Sequence, residues 1–358
     1  MARPARAIIH LDAIQHNYRL AKACAPQSRA LAVIKANGYG HGAVRIAQHL
    51  AQEADGFAVA CIEEALELRA SGIQNRIVLL EGIFTPDELS TAAEQRLTLV
   101  VQGEQQLAWL LAAKVTQKLD VFIKIDTGMH RLGFAPDHVK QVYQRLKACT
   151  HVGEIVCMTH FAQADETQLP RTSEQYQTFK QATAGLSVAC SLANSPAILA
   201  WPDTHHDWIR PGIMLYGASP LDQDNAYSLK LKPAMTLESA LINVRELPAG
   251  EPIGYGARFV TDKPTQVGVV AMGYADGYPR HALDGTPVVV NGQHTRIIGR
   301  VSMDMMMVDV TGLNAKIGDR VELWGSQVSA NEVAAHSNTI SYTLFTGITR
   351  RIPLIYQG

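Results

Sequence analysis

The chain has 358 residues, of which 47% are hydrophobic and 18% are charged, and its formal net charge is −1 at pH 7. This length and apolar content predict a folded protein of two ordinary domains and exclude a disordered chain. The near-zero charge argues against a nucleic-acid-binding face, and no apolar run approaches the ~20 residues that a membrane span needs. The first ten residues lack the apolar core of a signal peptide, so we expect a cytoplasmic protein.

The first two-thirds of the chain alternates strand-like and helix-like segments. An initial strand at residues 7–11 precedes a helix that Asp12 is well placed to cap. Eight further apolar runs are predicted to be strands: 30–35, 56–60, 76–80, 97–101, 120–125, 154–161, 187–193 and 207–213. Helical periodicity lies between most of them, at 44–53, 63–70, 86–95, 105–114, 137–148 and 173–183. Eight such units predict a (β/α)8 TIM-type barrel, not an open doubly wound sheet.

The pattern changes after a polar segment at 219–233, which is broken by Pro220 and Pro233. Period-two alternation then predicts strands at 236–245, 265–272, 288–291, 295–300, 305–310 and 320–324. Asn291-Gly292 between apolar runs indicates a tight hairpin. We therefore predict a barrel domain at residues 1–230 and a mostly-β C-terminal domain at 231–358.

Five cysteines are widely spaced, at positions 24, 61, 149, 157 and 190. None forms a pair with the spacing typical of zinc ligands, so we expect reduced thiols and no metal site.

Lys35 closes the first apolar run of the predicted barrel and precedes a glycine-rich loop at residues 36–42. A lysine at a strand end would leave the core and face whatever lies beyond the strand. Glycines let a backbone approach a ligand closely, and a half-buried lysine is easily tuned to act as a nucleophile or base. The alternative is a lysine that merely extends to solvent beside a turn.

Other chemically capable side chains also lie at or near predicted strand ends, which is where barrels carry their chemistry. They include Lys124, Arg131, His160 and Arg210. A serine hydroxyl is available at Ser195, just after the seventh strand, and a glycine amide at Gly212, near the end of the eighth. The loops after those strands are the usual phosphate site of a barrel. A lysine amine together with a phosphate cradle indicates pyridoxal 5′-phosphate (PLP) held as a Schiff base. Each residue alone has a plain alternative, such as a core histidine or an ion-paired arginine.

Seven segments, in chain order, carry a resemblance to a known family. They are residues 33–42, 124–133, 160–166, 210–212, 254–257, 273–278 and 302–304. In these segments the sequence resembles the alanine racemase family, and the likeness extends over essentially the whole chain. The resemblance implies a barrel followed by a β domain, the cofactor PLP, a head-to-tail homodimer and the interconversion of L-alanine and D-alanine.

The resemblance also implies roles for individual residues. Lys35 serves one face of the substrate, and Tyr255 from the second chain serves the other, with His160 and Arg210 behind Tyr255. Arg210 faces the pyridine nitrogen. Phosphate contacts are expected from Tyr39, Ser195, Gly212, Ile213 and Tyr342.

The remaining implied roles concern the substrate side of the site. Arg131 contacts the cofactor phenol oxygen and the substrate carboxylate. Lys124 matches a position that is carbamylated in many relatives, although an ordinary strand lysine is the alternative. Met303, Asp304 and Tyr274 are expected to reach the substrate pocket, with Arg280 near its entrance.

Four rival functions use similar residues. A decarboxylase or a broad-specificity racemase could use the same barrel and cofactor, but a decarboxylase would lack a second base such as Tyr255. A metal-assisted PLP lyase would carry a His/Cys site in its β domain, and no cysteine follows Cys190. A non-catalytic PLP-binding protein would typically be the barrel alone. We expect a racemase that supplies D-alanine for peptidoglycan or serves alanine catabolism.

Overall fold

The computed structural model describes residues 3–358. Strand β1 (Arg6–His10) is followed directly by helix α1 (Leu11–Cys24). The predicted cap is wrong: the helix begins at Leu11, so Asp12 lies inside its first turn and makes no side-chain cap. A carboxylate in the first turn still stabilises the helix through the favourable field at its N-terminus.

Eight parallel strands then form a nearly closed barrel, which confirms the predicted fold class. They are β2 (Arg29–Val33), β3 (Gly56–Val59), β4 (Arg76–Leu79), β5 (Leu97–Val101), β6 (Leu119–Lys124), β7 (Val152–Met158), β8 (Ala189–Ser191) and β9 (Trp208–Ile209). Between β8 and β9 the closure is looser. Only isolated backbone hydrogen bonds connect the two segments. The amide of Asp207 donates to the carbonyl of Cys190 (3.2 Å), and the amide of Arg210 donates to the carbonyl of Ala193 (2.9 Å).

Helices cover the outside of the barrel. They are α2 (Ala43–Leu50), α3 (Ile62–Ala70), α4 (Glu88–Glu94), α5 (Glu104–Ala112), α6 (Val139–Lys147), α7 (Arg171–Thr183) and the short α8 (Ser195–Ala200). Short 3-10 turns lie at Pro136–His138, Pro202–Thr204, Ile213–Tyr216 and Ser228–Lys230. The apolar faces of the longer helices pack on the strands, and most buried apolar residues form a continuous cluster that extends into the C-terminal region. A second, small cluster there consists of Ile253, Val267 and Ile298.

The C-terminal region is mostly β, as predicted. Its strands are β10 (Met235–Leu247), β11 (Pro252–Ile253), β12 (Phe259–Val260), β13 (Thr265–Val270), β14 (Pro287–Val290), β15 (Gln293–Arg296), β16 (Met306–Asp309), β17 (Arg320–Trp324) and β18 (Leu354–Gln357). The main sheet runs in the order β15-β14-β17-β10-β1-β18, so the initial strand pairs with this region. Asn291 and Gly292 both have positive φ in the tight β14–β15 turn, as an Asn-Gly hairpin requires.

Two short helices and two 3-10 turns of this region were not predicted as such. They are α9 (Ala330–Ala335), α10 (Ser341–Thr346), and the turns at Tyr255–Ala257 and Tyr274–Asp276. Helix α10 returns to the barrel and packs against the loop after β2. The close approach is visible at Gly40, where a Cβ atom would lie 2.2 Å from the carbonyl oxygen of Phe345.

Replacing Gly40 with Ala should therefore lower the free energy of unfolding by about 2–4 kcal/mol, because the left-handed backbone (φ 79°) and the clash with Phe345 both oppose a side chain. Gly72 is the matched control, since its φ is also positive (92°) and no atom lies within 4 Å of a Cβ there. Gly72→Ala should cost only about 1 kcal/mol. Urea unfolding of the two variants tests this, and equal losses would contradict the packing of α10 on the loop.

Candidate active site

A cavity of about 710 Å³ opens at the carboxyl ends of the barrel strands. It brings together ten of the residues predicted for the site: Lys35, Tyr39, Lys124, Arg131, His160, Ser195, Arg210, Gly212, Ile213 and Tyr342. The cavity is also lined by residues that were not predicted as site residues, namely Leu80, Glu81, Met158, Asn194 and Thr346. The loops that follow six different strands thus converge on a single volume, as expected for a barrel.

Lys35 does not end a strand, contrary to the prediction. Strand β2 ends at Val33, and Lys35 begins a single left-handed turn in which Ala36, Asn37, Gly38 and Tyr39 all have positive φ. Left-handed backbone costs roughly 1–2 kcal/mol for each residue other than glycine, so surrounding contacts must hold the turn.

Glu64 on α3 supplies one of those contacts. Its carboxylate accepts hydrogen bonds from the amide of Ala36 (2.6 Å) and from the amide of Ala60 (2.8 Å). Asn37 contributes another, since its side-chain oxygen accepts from the amide of Ala43 (3.0 Å). The turn is therefore attached to both the next strand end and the following helix, which fixes where the Lys35 side chain begins.

Two hydroxyl groups, those of Ser195 and Tyr39, border the backbone at Gly212. The Ser195 hydroxyl accepts hydrogen bonds from the amides of Gly212 (2.8 Å) and Met214 (3.4 Å). A Cβ at Gly212 would lie 3.0 Å from the hydroxyl of Tyr39, so a side chain would fill the space that these groups border. Burial raises the pKa of Tyr39 to about 12 and also raises the pKa of Tyr342, which keeps both phenols protonated as hydrogen-bond donors.

The position of Tyr342 depends on the C-terminal region of the same chain. Tyr342 lies in the helix α10, and its ring centroid is 5.9 Å from that of Tyr39. Tyr39 in turn stacks on the buried Tyr216 at 4.7 Å. These aromatic contacts orient both phenols toward the cavity.

Arg210 is buried directly after β9. Its guanidinium donates to the Ser191 hydroxyl (2.6 Å), to the carbonyl oxygens of Thr159 (2.7 Å) and Leu192 (3.0 Å), and toward Nδ1 of His160 (3.4 Å). Within residues 3–358 no carboxylate pairs with it. Burial lowers the pKa of Arg210 to about 9, so the group remains a cation at neutral pH.

His160 is held as a neutral imidazole. Burial and the neighbouring cations, Lys124 and Arg210 first among them, lower its pKa well below the ordinary value. Because a guanidinium can only donate, the contact with Arg210 assigns an accepting Nδ1 and a proton on Nε2, and the side-chain amide nitrogen of Asn194 lies 3.5 Å from that Nε2. The ring can therefore donate one hydrogen bond from Nε2.

Lys124 ends β6 and reaches the cavity. Burial, with Arg210 and Arg131 nearby, lowers its pKa to about 7, so much of the amine is neutral at physiological pH. Arg131 follows in a loop that Asp126 shapes by accepting from the amides of Gly128 (2.9 Å) and His130 (3.0 Å). Arg131 is exposed at the mouth of the cavity.

Sequence reasoning missed a buried polar network behind His160. Gln175 donates to the Thr127 hydroxyl (3.2 Å) and to the carbonyl of His160 (3.1 Å), and the hydroxyls of Thr127 and Thr159 are 2.8 Å apart. Gln175 lies four residues before Phe179 on the buried face of α7, so a polar residue on an apolar stripe was the available signal. The network joins the ends of β6 and β7.

Four predicted residues do not line this cavity in the described part of the chain: Tyr255, Tyr274, Met303 and Asp304. Tyr255 is 69% exposed, and Met303 and Tyr274 are also exposed. The carboxylate of Asp304 pairs with Arg351 at 2.6 Å. Arg280, expected near the entrance, is likewise exposed.

Residues 3–358 contain no cluster of three His, Cys, Asp or Glu side chains that could hold a metal ion. None of their helices is both long and apolar enough to cross a membrane.

Two family models match the chain. The alanine racemase N-terminal domain matches residues 9–220, and the alanine racemase C-terminal domain matches residues 234–356. Together they cover almost the whole chain, including every residue discussed for the cavity.

Curated relatives and solved structures agree with these matches. An alanine racemase of Pseudomonas fluorescens is 56% identical, and a catabolic alanine racemase of Pseudomonas putida is 55% identical, each alignment covering 99% of both chains. The crystal structure of a biosynthetic alanine racemase from Pseudomonas aeruginosa superposes with a TM-score of 0.97 at 49% identity, covering 99% of this chain and 100% of that one.

The lowered pKa of Lys124 predicts how stability depends on pH. Between the folded value of about 7 and the ordinary value of 10.5, the unfolded chain binds more protons than the folded one, so stability rises with pH in that window. Lys124→Met removes this dependence. Its stability relative to the natural chain should therefore be greatest at pH 6 and smaller at pH 9.

Urea unfolding of the cofactor-free protein in carbonate-free buffer measures the difference at both pH values. Lys118→Met, an exposed lysine just before the same strand, controls for the loss of a lysine as such. A difference that is constant from pH 6 to pH 9 would show that Lys124 is not held in a cation-disfavouring site.

Proposed function

The chain belongs to the alanine racemase family and is an isomerase, and from this premise we propose that it interconverts L-alanine and D-alanine with PLP, at sites shared by two copies of the chain. One observation carries the proposal. The cavity gathers a lysine and a hydroxyl-lined cradle, whereas the tyrosine expected to be the second base stands exposed outside it.

The residues of the cavity fit PLP. Lys35 offers the amine to which the cofactor would be joined, and the space at Gly212 would take its phosphate. Ser195, the protonated phenols of Tyr39 and Tyr342, and the amide of Ile213 would hold that phosphate, and the amide of Gly212 would join them by exchanging its bond to the Ser195 hydroxyl for one to the phosphate. The bound cofactor withdraws electrons from the substrate α-carbon, which makes the α-proton acidic enough for a side chain to remove.

Arg210 would donate to the pyridine nitrogen. Its burial without a carboxylate leaves it a cation that can only donate, so the ring nitrogen would stay unprotonated. The Ser191 hydroxyl and the carbonyls of Thr159 and Leu192 accept hydrogen bonds from the guanidinium and fix the orientation of its plane. This arrangement favours return of the proton to the α-carbon over side reactions such as transamination.

Racemisation requires removal of a proton from one face of the substrate and its return on the other. We assign one face to Lys35 and the other to Tyr255 of a second copy. The neutral ring of His160 would donate from Nε2 to the Tyr255 oxygen, which stabilises the phenolate that acts as the base. Arg210 orients His160 through Nδ1.

The substrate carboxylate would meet Arg131 at the mouth of the cavity. The partly neutral Lys124 amine can react with carbon dioxide, and the resulting carbamate anion would orient Arg131. Met303, Asp304 and Tyr274 of the second copy would complete the pocket, with Arg280 at the entrance. A head-to-tail homodimer satisfies these requirements, because each chain lends its exposed residues to the other's cavity.

The reaction would supply D-alanine for peptidoglycan or feed alanine catabolism. All five cysteines are free thiols, which suits the reducing conditions of the cytoplasm, where we place the enzyme. The domain division at residue 230 is part of the same proposal, with the barrel binding PLP.

Incubation with L-alanine in D2O should give α-deuterium incorporation together with D-alanine, approaching equal amounts of the two enantiomers. Tyr255→Phe should reduce racemisation by about 10²–10⁴-fold, because the base for one face is lost. Tyr227→Phe, at another exposed tyrosine, should leave the rate unchanged. Deuterium incorporation without D-alanine in the natural enzyme would indicate a one-face PLP enzyme and would remove the assignment of Tyr255.

Replacing Arg210 with Glu should increase transamination, measured as pyruvate released per D-alanine formed, because a carboxylate would favour a protonated pyridine nitrogen. Arg210→Lys retains a cation and serves as the comparison. A glutamate variant that binds PLP without any rise in pyruvate would count against the proposed role of Arg210.

A further inference from the structure

A buried carboxylate outside the cavity binds two arginines from the two ends of the chain. Asp276 is fully buried, and its two oxygens accept from Nη1 and Nη2 of Arg3, each at 2.5 Å. Nε of Arg351 lies 3.3 Å away. The strands that follow Arg3 and Arg351, β1 and β18, run side by side in parallel, which places the two arginines together.

Asp304 joins the same group. Arg351 pairs with its carboxylate at 2.6 Å, and Arg3 donates to its carbonyl oxygen at 3.3 Å. The four residues Arg3, Asp276, Asp304 and Arg351, here called the terminal clamp, carry no net charge. A buried carboxylate that loses a partner is strongly unfavourable, so the clamp holds both arginines in place.

The two carboxylates lie in two loops that are pressed together. The amide of Tyr274 donates to the carbonyl of Ser302 (3.0 Å), and that of Ala275 to the carbonyl of Met303 (3.0 Å). A Cβ at Gly273 would lie 2.3 Å from the Met303 oxygen, so the backbones touch. The Asp276 carboxylate also accepts from the Gly273 amide (2.9 Å), which closes the first loop.

These loops carry Tyr274 and Met303, whose side chains point away from the chain's own core and are exposed. Their aim therefore depends on backbone contacts and on the clamp. A displacement of about 1 Å at a binding group is enough to reduce catalysis substantially.

We propose that Arg3 and Arg351 are positioning residues of the racemase: through Asp276 and Asp304 they fix Tyr274 and Met303 in the orientation that enters the cavity of a second chain. This inference rests on the proposed shared site. It concerns residues that contact neither cofactor nor substrate.

The chain supplies a matched control for the experiment. Arg6, three residues after Arg3, pairs with Glu238, another buried carboxylate, at 2.6 Å. Glu238 also retains a second arginine, Arg320, as Asp276 retains Arg351. Arg3→Gln and Arg6→Gln thus each remove one of two arginines from a buried carboxylate, but only the first acts on the Tyr274 and Met303 loops.

With the PLP-loaded protein, Arg3→Gln should raise KM for alanine about fivefold with a smaller change in kcat, since a misaligned wall weakens substrate binding. Arg3→Lys should restore part of the loss. Amide hydrogen exchange at residues 273–277 and 302–305 should become faster in Arg3→Gln. Arg6→Gln should lower stability to a similar degree and leave KM and exchange in these loops unchanged.

Equal KM values in the two glutamine variants, or unchanged exchange in the loops of Arg3→Gln, would overturn the proposal. Arg351→Gln, compared with the exposed neighbour Arg350→Gln, provides a second test if Arg3→Gln does not fold. It should speed exchange at 302–305 and, to a smaller extent, at 273–277, because Arg3 still binds both oxygens of Asp276 after Arg351 is lost. Failure of the unmodified chain to racemise alanine would reject the proposed function. The exchange experiment does not depend on that function, so unchanged exchange in the loops of Arg3→Gln would by itself reject the clamp.

Discussion

Four basic side chains share a cavity that has few anions of its own. Lys35, Lys124, Arg131 and Arg210 all line it, and the carboxylate nearest to Lys124, Asp126, is occupied by backbone amides and His130. Burial, together with this concentration of positive charge, lowers the pKa of both His160 and Lys124. The positive charge also explains why an anionic cofactor and an anionic substrate carboxylate suit the site, since each would relieve repulsion among the cations.

The positive charge of the cavity comes from the barrel, and the C-terminal region contributes a different kind of group. The barrel provides cations and phosphate donors, whereas the exposed face of the C-terminal region provides a phenol, Tyr255, in a turn between two glycines with positive φ. Tyr255 is exposed on its own chain, so in the two-chain site proposed above its phenol would meet this cavity only when a second copy is present.

The barrel strands were predictable because a strand buried on both faces is a continuous apolar run, and eight such runs separated by helical periodicity leave few other folds. The left-handed turn at Lys35 was not predictable. Ala36 and Asn37 adopt left-handed backbone because contacts from α3 and α10 hold the turn. Tyr342 was found through family likeness, yet its placement in a helix depends on packing that no local pattern encodes.

The supporting polar groups were missed for a related reason. Ser191, Thr159 and Gln175 are ordinary residues whose importance comes from partners far along the chain, such as Arg210 for Ser191. A sequence shows which side chains can react. The groups that hold them are visible only after the fold has brought strand ends together.

The left-handed turn at Lys35 has a consequence for how this architecture could evolve. It stores unfavourable backbone energy, and the helix α10, more than 300 residues later, packs directly over it at Gly40. A barrel recombined with an unrelated C-terminal partner would lose that support and also the phenol of Tyr342. The two regions are thus a single inherited unit, and neither can be exchanged as a module without rebuilding the seam between them.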